Sequence, residues 1–330
     1  MKLKAVTLAD IAGELGISKN AVSLALRGKD GVSEELRERV RMKAQEMKYL
    51  GVNKVQGCIL ALIPQRTARA AGTFYQRLCF DMEAYAAGFG YQLIISSVSS
   101  EDEMLCRPPA LLGSVACTGI ITVGNLSLNY CRMIYSLGIR YVMADQFYDD
   151  IPVSSVVTAN SSASYMLTKR LIDSGHKSIQ FFGSSQRTSS LEERWIGYKR
   201  AMRDHQLPIL NNRLSDGSAN ESQKMIVQAL RELPQLPTAF VCGHDVIALD
   251  LIEALQKRGL RCPDDFSVVG FDDVQTHEVQ TLNLTTYRTP YSAIAKTAIE
   301  LLYTEDAPKR IQLFGELVER ASVKDIRTGG

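Results

Sequence analysis

Residues 5–40, AVTLADIAGELGISKNAVSLALRGKDGVSEELRERV, constrain the fold more than any other stretch of the chain. Thr7 reads as a helix N-cap with Asp10 three residues on, a capping box that uses Asp in place of Glu. Leu8, Ile11, Ala12 and Leu15 recur at helical spacing, and Ala12 is small where a second helix has to cross. Gly16 stands where the turn needs a residue at ease with φ above zero. Ser18 caps the next helix, whose Val22 and Leu26 face back toward the first, and Ser33 caps a third. Capping, turn and packing chemistry agree on a helix-turn-helix followed by one more helix. A plain three-helix bundle without a ligand draws on the same residues but seldom in this order.

In such a unit one helix braces another, whose N-terminal side chains enter the DNA major groove. Here that end carries Lys19, Asn20, Ser23 and Leu24. Lys donates to guanine O6 and N7, Asn pairs bidentately with adenine, and Leu meets a thymine methyl or excludes water. Thr7, Ser18, Ser23 and Arg27 are placed for phosphates, which fix register and carry little sequence information. Capping alone also explains Thr7 and Ser18, and a hydroxyl can serve in both roles.

Charge fits this division. Residues 1–56 hold 11 Lys and Arg against 7 Asp and Glu, a net +4, whereas the whole chain is +2. A basic head on a slightly acidic body points to polyanion contact through the head. A length of 330 residues leaves room for two or three domains. No apolar run reaches the roughly 18 residues of a membrane span, and the polar N-terminus does not read as a signal peptide. The 7 cysteines are scattered, odd in number and without a CxxC pair. That pattern suits reduced thiols in the cytoplasm rather than disulfides, and offers no metal site or cofactor.

Beyond the head, short apolar strands alternate with helices. Strands are expected at 58–63, 91–97, 119–123, 140–144, 178–182, 239–242 and 267–271. Helices are expected at 74–87, 161–174, 192–204, 222–232 and 246–258. The rhythm implies doubly wound parallel sheets, with the ligand crevice at the carboxyl ends of the strands. About nine units exceed one small sheet, so the α/β core is expected to form two lobes.

The order of motifs resembles the LacI/GalR family of transcriptional repressors over nearly the whole chain. The head VTLADIAGELGISKNAVSLALRG carries the likeness, followed by LIDSGHKSI (171–179), ERWIGYKRAM (193–202), TAFVCGHDVIALDLI (238–252), GLRCPDDFSVVGFDD (259–273), LTTYRTP (284–290) and GELVERAS (315–322). The resemblance implies a periplasmic-binding-protein-like core that senses a small molecule, usually sugar-like or nucleoside-like. It also implies a homodimer on a near-palindromic operator. By the same resemblance Phe74 and Tyr75 lie where aromatics stack on the effector. Arg194 matches the arginine that reaches ligand oxygens, with Ser190 one turn before it. Asp272 matches the carboxylate that accepts ligand hydrogens, and His244 replaces the usual Asn before Asp245. Each also fits a plain structural role: core aromatics, a turn aspartate and a satisfied histidine.

The implied domains are a head over 1–50, a linker over 51–57 and a core over 58–330. The first lobe is expected to take 58–158 and 286–314, and the second 159–285 and 315–330. Three features depart from the family. After Tyr49 the linker LGVNKVQG lacks the Pro-Asn start, the Ala-Arg pair and the wedge leucine of a hinge helix. Ala159 stands where an Asp often precedes Asn160, and residues 214–222 lack an aromatic seen in some members. The end RASVKDIRTGG shows no heptad for a tetramerising coiled coil.

Catalysis finds no support in the sequence. The histidines 176, 205, 244 and 277 are far apart, and no nucleophile elbow, phosphate loop or zinc spacing appears. Two binding readings compete with an effector-controlled repressor: a core that answers to a protein partner, and a cytoplasmic ligand-binding protein with a weakened head. A solute-binding protein that serves a transporter would lack the head.

Overall fold

The computed structural model describes residues 6–26, 30–47, 57–66, 74–183, 188–210, 222–274, 281–304 and 307–327. In the head, α1 (Leu8–Leu15), α2 (Lys19–Leu26) and α3 (Glu34–Glu46) form three short helices. Ile11, Ala12, Val22, Ala25, Val40 and Ala44 close a small core between them. Thr7 and Asp10 form the expected capping box, and Gly16 ends α1 at φ 63°. Ser18 accepts the Ala21 amide at 3.1 Å and Ser33 the Leu36 amide at 3.2 Å. The head's start and stop signals are therefore the ones written in its sequence.

The chain then builds the first lobe from β1 (Cys58–Pro64), α4 (Phe74–Gly88), β2 (Gln92–Val98), α5 (Ser100–Met104), β3 (Cys117–Val123), α6 (Leu128–Ser136), β4 (Tyr141–Ala144) and β5 (Ser154–Thr158). It crosses into the second lobe through α7 (Asn160–Asp173), β6 (Ile179–Phe182), α8 (Ser189–Asp204), α9 (Ser222–Arg231), β7 (Ala239–Cys242), α10 (Asp245–Gln256), β8 (Ser267–Val269) and β9 (Thr286–Arg288). It returns for α11 (Tyr291–Tyr303) and β10 (Arg310–Leu313), then crosses once more to β11 (Glu316–Val318).

The first sheet is parallel throughout, in the order β10-β5-β4-β3-β1-β2. Helices α4 and α11 cover one face, where Leu78, Met82, Ile294 and Ile299 meet Ile59, Ile121 and Val142. On the other face Tyr130, Cys131 and Ile134 of α6 meet Leu60, Leu62 and Ile120. Strands buried on both faces become continuous apolar runs, which is why CILALI was legible as a strand. The second sheet, β6-β7-β8, is parallel as well, with α7 and α8 on one side and α9 and α10 on the other.

Two expectations change. β9 pairs with β11 in the antiparallel sense, so the second lobe is not wholly parallel. Residues 286–288 also belong to that lobe, because Thr285 and Arg288 bridge to Val269 and Asp272. The return to the first lobe therefore falls near 290 rather than at 286. Buried Asp273 locks this crossover, accepting from Arg288 at 2.7 Å and Arg320 at 2.6 Å. Such charge-assisted pairs are satisfied from both sides, which a buried carboxylate requires. Of the expected linker 51–57, residues 51–56 lie outside the described residues, as do Arg27 and residues 214–221 of the 214–222 segment.

Candidate nucleic-acid interface and inter-lobe cleft

Lys19 and Asn20 stand exposed at the N-terminal end of α2, while Ser23 and Leu24 are half-buried. Val22 and Ala25 anchor the opposite side of the same helix in the head's core. The exposed candidate residues and the packing residues thus fall on separate faces of one short helix. Thr7 is more committed than its sequence position suggests. Its hydroxyl donates to Asp10 Oδ2 at 2.7 Å, and the same oxygen accepts the Thr7 amide at 2.7 Å. A phosphate contact from Thr7 would have to compete with that carboxylate.

Between the lobes, Arg194 on α8 sits at the centre. Its Nε donates to Asn160 Oδ1 at 2.9 Å, Nη1 to the Gly243 carbonyl at 2.5 Å and Nη2 to Asp272 Oδ1 at 3.4 Å. The guanidinium lies 3.5 Å from the Phe271 ring centroid, a stacked cation on an aromatic face. Asp272 also accepts the Thr289 hydroxyl at 3.3 Å, and its backbone φ is 107°. Burial raises the Asp272 carboxyl above the usual range, and Arg194 opposes that rise. Ser190, one turn before Arg194, donates to the Asp145 carbonyl at 3.3 Å and so links the lobes directly.

Asp145 was not legible as a site residue. It follows β4 at φ 61°, and its enclosed Oδ1 has no hydrogen-bond partner. Burial pushes its carboxyl up to about 7, with Arg194 pulling down, Asp272 adding, and the Ser190 and Tyr75 hydroxyls pulling down. The rule that ligands gather at the carboxyl ends of parallel strands was the available signal. Two non-glycine residues held at positive φ on one cleft, Asp145 and Asp272, are the kind of local strain that functional sites retain.

The adjacent aromatics part company. Phe74 is buried in the first lobe's core, edge-on to Tyr291 at 5.1 Å between centroids. Tyr75, one residue on, lies close enough to Asp145, Asp272 and Arg194 for their charges to act on its phenol. Burial keeps the Tyr75 phenol well above its ordinary range, so it stays a neutral donor. Phe74→Ala is expected to cost roughly 3–5 kcal/mol of stability, whereas Tyr75→Phe leaves stability nearly unchanged. Urea unfolding of both variants checks this; a destabilised Tyr75→Phe with an unaffected Phe74→Ala would reverse the assignment.

His244 caps α10: its Nδ1 accepts the Ile247 amide at 3.3 Å. Asn caps as well, which explains how His can stand where the family often has Asn. Ala159 gives α7 no side-chain cap. Asp245, fully buried, accepts the Thr286 hydroxyl at 2.6 Å and the Val274 amide at 2.9 Å, tying α10 to the crossover.

Burial pushes the Asp245 carboxyl up to about 8, helped by Asp272 and opposed by the Thr286 and Val274 hydrogen bonds. A folded-state pKa above the unfolded value near 3.9 favours folding at low pH, where both states hold the proton. That contribution fades as pH rises from about 4 to about 8. Asp245→Asn is therefore expected to flatten the fall in melting temperature between pH 5 and 8. An unchanged slope would remove Asp245 from the account.

A helix-turn-helix head on a two-lobed core with a charged inter-lobe cleft defines a class: regulators that join a DNA-reading unit to a ligand-sensing one. Residues 7–51 match the bacterial regulatory proteins of the lacI family, and residues 168–323 match the periplasmic binding protein-like domain. Its head is thus similar to that of the lacI family and its second lobe to the periplasmic binding proteins. It is 26% identical to the HTH-type transcriptional repressor PurR of Vibrio atlanticus (strain LGP32) over 331 residues, covering 97% of this chain and 99% of the relative. The ribose operon repressor of Haemophilus influenzae is 24% identical over 305 residues, 90% of each chain. Among solved structures, the lac repressor dimer bound to operator and the anti-inducer ONPF superposes with a TM-score of 0.68 at 22% identity, over 97% of this chain and all of that one. These relatives are transcriptional repressors, and no described helix is long and apolar enough to cross a membrane.

Proposed function

We propose that this chain is a cytoplasmic repressor of transcription that works as a homodimer on a near-palindromic operator and is controlled by a small molecule in the inter-lobe cleft. The observation that carries the reading is the exposed pair Lys19 and Asn20 at the N-terminal end of a helix braced by a closed core. Two such helices enter successive major grooves, and phosphate contacts from the head fix their register. The repressors PurR and the ribose operon repressor, and the lac repressor dimer on its operator, support this reading.

The head ends near residue 50, and 51–57 link it to the core. Ser190, Arg194, Asp272 and Tyr75 line the effector's place, with Asp145 added to them and His244 at its edge as a helix cap. The unpartnered Asp145 oxygen asks for a donor, so a hydroxyl-rich neutral ligand such as a sugar suits the cleft. No catalytic step is assigned to these groups; binding alone shifts the lobes and the heads. Ligand and operator then affect each other through a reciprocal coupling of about 1–3 kcal/mol.

Selection of bound sequences from a random duplex pool tests the reading, run at near-physiological salt because non-specific affinity falls steeply with salt. An inverted repeat is the expected product. No enrichment, with and without added sugars, would sink it. The linker sequence adds a second expectation: lacking the wedge leucine, the protein bends its operator little. A sharp central kink in the bound DNA would contradict that.

A further inference from the structure

We propose that Cys58 and Cys117 are a thiol pair that oxidises to a disulfide at the joint between linker and core. β1 and β3 run parallel with an irregular register: Ile59 pairs with Gly119, yet Cys58 pairs with Cys117, leaving Thr118 as an extra residue. Side chains alternate faces along a strand, so a regular register would set Cys58 beside Thr118 and send Cys117 to the opposite face. The bulge reverses this. Leu60 and Ile120 share one face, and Cys117 packs against that same cluster. Cys58, two residues before Leu60, lies on the same face, so the bulge lays the two thiols side by side.

Other observations agree. The two thiols lie close enough for each to act on the other's ionisation, and Cys117 Sγ donates to the Gly119 carbonyl at 3.4 Å. Paired residues on neighbouring strands stand about 4.8 Å apart, within the roughly 4.4–6.8 Å that a disulfide spans between Cα atoms. Cys58 is buried and Cys117 only partly so, and a small oxidant has an approach through Cys117. Thr118 Oγ1 donates to the Cys58 carbonyl at 3.1 Å, and a Cβ on Gly57 would fall 2.3 Å from Thr118 Cγ2. The linker thus enters the core against the bulge itself.

Hydrogen peroxide is a sufficient oxidant. The Cys117 thiolate attacks one peroxide oxygen, the O–O bond breaks, and the departing hydroxide leaves as water, giving a sulfenic acid. The Cys58 thiolate then attacks that sulfur; the S–O bond breaks, the S–S bond forms and a second water leaves. Two thiols lose two electrons and one peroxide is reduced to two waters. Burial raises both thiols, so the pair reacts slowly and answers to sustained oxidant.

The full chain is treated with hydrogen peroxide, alkylated and digested without reductant, and its peptides are mapped by mass spectrometry. The expected result is a peptide cross-linking 58 to 117 that dithiothreitol releases. Cys58→Ser and Cys117→Ser each abolish it, with circular dichroism confirming that both variants fold. Peroxide that leaves both thiols open to alkylation, or carries them separately to sulfinic acids, would overturn the proposal. The mapping needs no DNA, so it stands or falls apart from the operator reading.

Discussion

Arg194→Ala is expected to cost roughly 3–5 kcal/mol of stability and to abolish any response to effector, because removing one partner of a buried ion pair strands the other. Arg194 is only 5% exposed, and its fork holds Asn160, the Gly243 carbonyl and Asp272 at once. Without it, Asp272 keeps the burial that raises its carboxyl and loses the cation that opposes the rise. The sign follows. The folded-state pKa moves further above the unfolded one, so the variant's deficit is smallest in acid and grows as pH rises. Arg194→Lys is not a rescue, since a point charge cannot bridge three acceptors in a plane. Arg194→Ala combined with Asp272→Asn is expected to recover part of the loss, because a neutral amide tolerates burial better than an unpaired carboxylate. Melting curves of the three variants between pH 5 and 8 measure all three statements. An Arg194→Ala protein as stable as the wild type would show that the cleft is held by something else.

The second large effect lies at the DNA. Asn20→Ala and Lys19→Ala are each expected to lose about 1–3 kcal/mol of discrimination at one base pair while changing non-specific binding far less. Both side chains are exposed and clear of the head's core, so the fold is spared. Thr7→Ala behaves differently. The threonine is engaged with Asp10 through the cap, so its loss destabilises α1 by about 1 kcal/mol and weakens binding to all sequences alike. Competition titrations with operator and scrambled duplexes separate the two patterns. Equal losses on both duplexes for Asn20→Ala would place that residue among the positioning contacts.

What could be read in advance followed physical contrast. Strands with continuous apolar runs, such as CILALI and AFVC, were plain, as were the helix caps at Thr7, Ser18 and Ser33. β5, β9 and β10 were not: SSVVT, TYR and RIQL are short, and polar residues interrupt them. Their strand character comes from neighbours supplied by distant parts of the chain, a tertiary effect that overrides local pattern. In the cleft, Arg194 and Asp272 came with the resemblance, and the structure brings them together. Phe74 packs in the core beside the cleft aromatics Tyr75 and Tyr291, a burial that spacing alone did not fix. Asp145 and Asp245 stayed hidden because a carboxylate's meaning depends on what encloses it.

The three crossings between lobes also bear on how the chain is made. β1 to β5 leave the ribosome first, yet α11 and β10, which complete that lobe, emerge only after the whole run from 160 to 288. Until then β5 is an open edge, and Val142, Val156 and Ile121 lack the cover of Ile294, Ala298 and Ile299. The second lobe waits in turn for β11 and for Arg320 to close on Asp273. A nascent chain of this topology carries two unfinished sheets at once, and its sticky edges are exposed for a long stretch of synthesis. A premature stop after residue 290 would therefore leave neither lobe able to fold, rather than one sound lobe and one fragment.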